Sequence, residues 1–266
     1  MTVLSEDFSF AYGGLVGGAT TVYKLGAEVG GLGMPAYRDV DGSRNLYPGD
    51  TGGYDTLQSR ILTLPVVVAA DPEDCLLGDD CVARRASSGV SLQELKAVWR
   101  PTSVDSPLDL RMPGMPETQL RLYGRPRGLD ARFVTGFPHV GTLLTFKALD
   151  PYFYGAEVTV EGLSGAVSVT NGGDAQTDRC VVHVTGTGAA PAMVNNSDGG
   201  GNVIWQVPLT GVRIVDLKAR TVVDGSGGDH FDEVAASSTW FDLQPGANSI
   251  ALSGGTFSFV FLPAWH

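Results

Sequence analysis

The residue types best suited to chemistry gather between Asp224 and Glu233, in the run Asp224-Gly-Ser-Gly-Gly-Asp-His-Phe-Asp-Glu233. Gly225-Ser-Gly227 superficially suggests a nucleophile elbow. It lacks the Gly-x-Ser-x-Gly spacing and the strand-to-helix context that expose a catalytic serine, so no triad is expected. Four carboxylates around one histidine offer the oxygen donors calcium prefers, yet their spacing matches no EF-hand loop. An acidic, solvated loop without a metal is the expectation.

Elsewhere the chemistry thins out. His139 follows Pro138 in an expected loop, His183 lies on the strand face opposite Cys180, Val182 and Val184, and His266 is the last residue. Cys75, Cys81 and Cys180 form no Cys-x-x-Cys pair and have no histidine beside them, so a structural zinc is not expected. Free buried thiols and a loop disulfide between Cys75 and Cys81 both stay open. No Gly-Lys-Ser or Gly-Lys-Thr occurs, and no glycine cluster opens a helix with dinucleotide spacing, which leaves nucleotide chemistry and cofactors unsupported. Any two carboxylates could converge for glycoside hydrolysis, but nothing nominates a pair. Trp205, Trp240 and Trp265 read either as core residues or as a sugar-stacking platform, with Trp205 and Trp240 the candidates for the latter.

The elements that would carry these residues follow from composition and pattern. The chain has 266 residues with 36 Gly and 15 Pro, 43% hydrophobic and 18% charged, which fits a folded, turn-rich protein of one large or two modest domains. A net charge of -11 and the absence of any run of five basic residues disfavour broad phosphate binding. No apolar run of membrane-spanning length exists, and Met1-Thr-Val-Leu-Ser-Glu-Asp7 lacks the basic flank and apolar stretch of a signal peptide. Synthesis in the cytoplasm is the expectation.

Apolar residues alternate with period two in short runs, the pattern of half-buried strands. Strands are expected over 20–25, 59–69, 119–123, 131–135 and 142–149, with a hairpin turn at Gly124-Arg-Pro-Arg-Gly-Leu-Asp130. One short helix is expected after Ser91, where Ser91 and Glu94 form a capping box, Val90 and Leu95 a hydrophobic staple, and Leu92, Leu95 and Trp99 a buried face ended by Pro101. Beyond residue 155 the composition changes: the first 155 residues carry 14 basic and 18 acidic residues, the remaining 111 carry 4 and 11. A domain boundary is placed there, giving domains 1–155 and 156–266. Strands over 158–161, 167–170, 180–185, 203–207, 212–216, 220–223, 238–243, 249–252 and 257–262 predict a β-sandwich for the second. Pro245-Gly246 supplies a type II turn joining two of them, and Phe257, Phe259 and Phe261 share a buried face.

Thr239-Trp-Phe-Asp-Leu-Gln-Pro-Gly-Ala-Asn-Ser-Ile250 resembles the end of the second domain in the distal tail protein (Dit) family of long-tailed, non-contractile bacteriophages. There a tryptophan strand, a Leu-x-Pro-Gly-x-Asn turn and a closing strand follow one another, matched here by Trp240, Leu243, Pro245, Gly246 and Asn248. Val212-Arg-Ile-Val-Asp216 with Arg220-Thr-Val-Val-Asp-Gly225 resembles the family's preceding hairpin. In the first domain the similar segments are Gly33-Met-Pro-Ala-Tyr-Arg38, Arg60-Ile-Leu-Thr-Leu64, Leu92-Gln-Glu-Leu95 and Leu122-Tyr-Gly-Arg-Pro126. Phe146-Lys-Ala-Leu-Asp-Pro-Tyr-Phe-Tyr-Gly155, with Asp150 and Pro151 at its centre, resembles the segment closing that domain. The stretch 71–81 and the loop 229–233 depart from the family pattern.

The resemblance implies a mainly β protein of two β-sandwich domains, an N-terminal ring-forming one with a helix and a C-terminal galectin-like or carbohydrate-module-like one. It implies a non-enzymatic virion component at the distal end of the phage tail, a homo-hexamer joining the major tail tube protein to the tail-tip hub, with DNA passing through its lumen. The tape-measure protein and a receptor-binding protein are further implied partners. Attachment of the virion to a host surface glycan is the alternative role for the second domain.

Overall fold

A computed structural model describes residues 3–26, 28–35, 37–38, 42–43, 50–51, 56–70, 81–115, 119–133 and 139–266. Most of the divergent 71–81 stretch, Cys75 included, lies outside the described residues. The chain is mainly β, with curled antiparallel sheets and, among the described residues, one α-helix. It divides into two compact units, Met1–Phe153 with His266, and Tyr154–Trp265.

In the first unit seven strands follow the order Leu15–Gly17, Ser9–Tyr12, Ser106–Arg111, Leu120–Phe133, Val140–Ala148, Arg60–Val68 and Tyr23–Leu25. Period-two alternation explains the core: Leu62, Leu64, Val66 and Val68 point inward with Leu144 and Phe146 of the neighbouring strand. The expected hairpin at 124–130 is instead one continuous strand, Leu120–Phe133. Up to Gly124 it pairs with Ser106–Arg111, and from Arg125 onward with Val140–Ala148. The register shifts between Pro126 and Gly128. Proline has no ladder donor and the Gly128 carbonyl accepts a hydrogen bond from Trp99 Nε1 at 3.0 Å, so both turn-forming residues fall where the ladder is already broken by a bulge.

The helix is Cys81–Val98, so Ser91 sits within it rather than at its start. Val90 is exposed and no staple forms. A capping signal is a local preference, and upstream packing overrides it: Ser88 is buried, and Ser87 Oγ donates to the Ala70 carbonyl at 3.2 Å. Glu94, freed from capping, takes the Tyr23 hydroxyl at 3.1 Å, which also reaches the Ser91 carbonyl at 3.0 Å. Leu92, Leu95 and Trp99 form the buried face as expected. Trp99 closes an aromatic triangle with Tyr12 and Phe146, centroids 5.0 to 5.9 Å apart.

The second unit is organised around one strand, Gly246–Phe261. Along one side it pairs with Val158–Asn171; along the other its first half pairs with Ala192–Asn195 and its second half with Cys180–Thr187. Gly201–Ile204 extends one half, Thr210–Asp216 and Thr221–Val223 the other. The sequence reading broke each long strand in two because glycines interrupt the alternation. The structure carries both through a bend, at bulges between Val160 and Gly165 and at Gly254. Gly254 adopts φ +71, and a Cβ there would stand 2.3 Å from the Ala190 carbonyl oxygen, so the corner requires glycine. Phe257, Phe259 and Phe261 are buried together with Val182, Val184 and Leu243. The segment 238–243, expected as a strand, is irregular: only Leu243 bridges, to Thr177.

Candidate functional site

The residues singled out by pattern fall into two pinned structural centres and one exposed loop. In the first centre Arg60, 2% exposed, is built into the start of its strand. Its Nε donates to the Pro151 carbonyl at 2.7 Å, and Nη1 donates to the carbonyls of Gly31 and Gly33 at 2.8 and 2.6 Å. The guanidinium carbon lies 4.3 Å from the Phe153 ring centroid. Burial lowers its pKa to about 10, still leaving the cation intact at neutral pH. Three segments singled out separately, 33–38, 60–64 and 146–155, thus meet through one side chain. Pro151 contributes its carbonyl, and Asp150 is half-buried beside it.

The second centre is the Leu243–Asn248 turn. Gly246 has φ +80, the conformation a type II turn demands after Pro245. Asn248 is fully buried: its Oδ1 accepts from the Gln244 N–H at 2.8 Å and from Asn195 Nδ2 at 3.1 Å, while its Nδ2 donates to the carbonyls of Gln244 and Gly246 at 2.8 and 3.2 Å. Asn195 Nδ2 also reaches the Asp242 carbonyl at 2.9 Å, and Asn171 Nδ2 donates to the carbonyls of Ala175 and Leu243 at 2.8 and 3.1 Å. The three asparagines replace the ladder bonds that an irregular backbone cannot make. Asn171 and Asn195 carried no sequence signal, because a buried asparagine within a strand pattern looks like an exposed one. The turn leads from an irregular segment into a strand, rather than joining two strands.

The exposed loop is the one whose residue types first drew notice. Ser226 Oγ donates to Asp224 Oδ1 at 2.7 Å, and His230 Nε2 lies 3.2 Å from Asp224 Oδ2. The carboxylate stands between serine and histidine, so His230 is not placed to take the Ser226 proton. His230 Nδ1 lies 2.9 Å from Glu233 Oε1, and Arg213 grips both Glu233 oxygens, Nε at 2.9 Å and Nη2 at 2.7 Å. Arg213 holds the Glu233 carboxyl below the usual range; hydrogen bonds from Ser226 and Gly228 do the same for Asp224. These carboxylates are committed to protein donors, and among the described residues no group of three metal-ligating side chains converges.

Of the two stacking candidates, Trp205 is buried at 2% exposure and offers no ring face. Trp240 is partly buried, with φ 55 in place of strand geometry, and lies parallel to the ring of Phe231. That partner was missed because the signal sought was tryptophan alone.

No protein-family model matches the chain, and no curated protein matches it. Among solved structures it is similar to the Dit protein of phage SPP1, described as a paradigm of the hub adsorption apparatus in phages infecting Gram-positive hosts. The two share 18% identity with a TM-score of 0.75, covering 98% of this chain and 100% of that one. The chain has the Dit fold. The phage P2 baseplate in its activated conformation with Ca is a looser likeness, 8% identical at TM-score 0.48 over 96% of this chain and 97% of that one. Its counterpart with Sr gives the same identity and score. Both pinned centres therefore lie in a chain with the Dit fold along almost its whole length.

Proposed function

We propose that this chain is a structural component of a phage tail, acting at the distal end as a distal tail protein. The observation that carries the reading is the likeness to SPP1 Dit, which extends through both units instead of one. The segments that resemble the family supply the pins of each unit, Arg60 in the first and Asn248 in the second. In this reading residues 1–155 form a homo-hexameric ring and residues 156–266, a galectin-like sandwich, face outward.

The ring joins the tail tube protein to the tail-tip hub, and the outward domains hold receptor-binding or baseplate proteins. The tape-measure protein and then DNA pass through the lumen. A head-to-tail contact repeated about a closing rotation makes such a ring without any catalysis. The net charge of -11 fits a conduit that repels phosphates, so that DNA slides instead of adhering. Light scattering of the purified protein with negative-stain imaging tests the reading: a hexamer, or two hexamers back to back, around a central hole is expected. A strict monomer that also fails to bind the tube protein overturns it.

A further inference from the structure

The ring of His230 meets an acceptor at each of its nitrogens. Nδ1 lies 2.9 Å from Glu233 Oε1, and Nε2 lies 3.2 Å from Asp224 Oδ2. Neutral imidazole carries one N–H and one lone pair, so in either tautomer one nitrogen would turn its lone pair on a carboxylate oxygen. Only the imidazolium, with a donor at both nitrogens, satisfies both contacts. The carboxylates have other donors as well, Ser226 and Gly228 at Asp224 and Arg213 at Glu233. The charges facing the ring come from three elements. Asp224 follows the strand Thr221–Val223, Glu233 ends the 3-10 turn Phe231–Glu233, and Arg213 of the strand Thr210–Asp216 stands behind Glu233. Asp229 and Asp232 flank it along the loop, with Asp229 Oδ1 accepting from the Phe231 N–H at 3.0 Å. Carboxylates thus outnumber the single guanidinium, and a positive ring completes the cluster.

We propose that His230 is a proton-operated latch: the imidazolium bridges Asp224 and Glu233 across the turn that carries Phe231, and loss of one proton opens the bridge. Histidine is the side chain whose charge ordinarily changes across neutral pH, which suits it to this task. The turn does not depend on the latch alone. With the ring neutral it keeps the Arg213 grip on Glu233 and the bond from the His230 N–H to the Val222 carbonyl at 2.8 Å. Opening therefore loosens the turn and leaves the hairpin behind it in place. What the latch controls is the presentation of Phe231, which is 48% exposed and lies parallel to Trp240 with centroids 6.1 Å apart. The device sits in the 229–233 stretch, which departs from the Dit pattern.

Histidine-selective NMR and amide hydrogen exchange on the full chain, from about pH 5.5 to about pH 8.5, test the latch. Asp224 and Glu233 titrate below the ordinary carboxylate range and so outside this window. The amides to follow are those of Glu233 and Val234, which close the turn through bonds to the carbonyls of His230 and Phe231 at 3.1 Å each. Their protection, corrected for the intrinsic rate, is expected to fall about three- to tenfold as pH rises, with the midpoint of the His230 ring signals. His230→Gln, at a partly exposed position, is expected to abolish this dependence with circular dichroism unchanged. The wild-type titration needs no variant, so it decides the matter even where a substitution disturbs folding. Protection that stays constant across the window, or that falls without following the His230 ring, overturns the proposal. So does a fall that persists in His230→Gln, which would belong to His139, His183 or His266.

Discussion

Asn195 Nδ2 donates to Asn248 Oδ1 at 3.1 Å, where both residues are fully buried. The bond joins the end of the Ala192–Asn195 strand to the turn that opens the central strand, so the two amides must be placed together or not at all. Asn248→Ala leaves the Gln244 N–H and two carbonyls without their partner. A loss of about 2–4 kcal/mol is expected from urea unfolding. Asn195→Ala should fall in the same range, and the double variant should cost less than the sum, because the two share a network.

Phe259 is completely buried between its strand partners Val160 and Val182. Phe259→Ala should destabilise the second unit by about 3–5 kcal/mol, read by calorimetry as a lowered melting transition of that unit.

Acid should loosen the 224–233 loop. Glu233 and Asp224 titrate below their ordinary values because Arg213 and the Ser226 and Gly228 donors favour the charged forms. Their contribution is present above the unfolded carboxylate range near pH 4 and fades as pH falls through the depressed folded values. Asp242 works in the opposite sense, since burial raises its pKa and its ionised form opposes folding. Glu233→Gln should flatten the acid limb of the melting temperature profile, while Asp242→Asn should raise stability at neutral pH.

At the alkaline end Tyr23 is the group to follow. Burial, with the nearby Glu94 carboxylate, pushes its phenol up to about 12. The protonated phenol is favoured in the fold, so its contribution is full below pH of about 10 and is lost as pH rises through about 12. Absorbance titration of the phenolates should show a late component that is lost in Tyr23→Phe.

Cys180 is buried, and burial raises its thiol well above the ordinary range. In the native protein it should resist a thiol-specific disulfide reagent and react only in denaturant, with peptide mapping to separate it from Cys75 and Cys81.

The sequence was most legible where burial alternates along a strand. The 59–69 run became Arg60–Val68, and the three phenylalanines after Thr256 became one buried face. It misled where a local signal met a tertiary demand. Ser91 and Glu94 have the form of a cap, but Glu94 serves Tyr23 instead. Pro126 and Gly128 look like a turn, but they mark the point where a strand exchanges neighbours. The Leu243–Asn248 turn was readable because proline and glycine fix backbone angles locally, whereas its partners Asn171 and Asn195 depend on contacts distant in the chain. The Phe231–Trp240 pair escaped for the same reason, since the irregular path of 234–240 brings the two rings together.

The strand Gly246–Phe261 lies at the middle of its sheet yet is the last long strand to leave the ribosome. Until translation passes Phe261, Val158–Asn171, Ala192–Asn195 and Cys180–Thr187 each wait with an edge uncovered. At roughly 5–20 residues per second that interval is on the order of 5–20 s. A chain truncated before Gly246 therefore lacks the strand the three others share, and its sandwich cannot close.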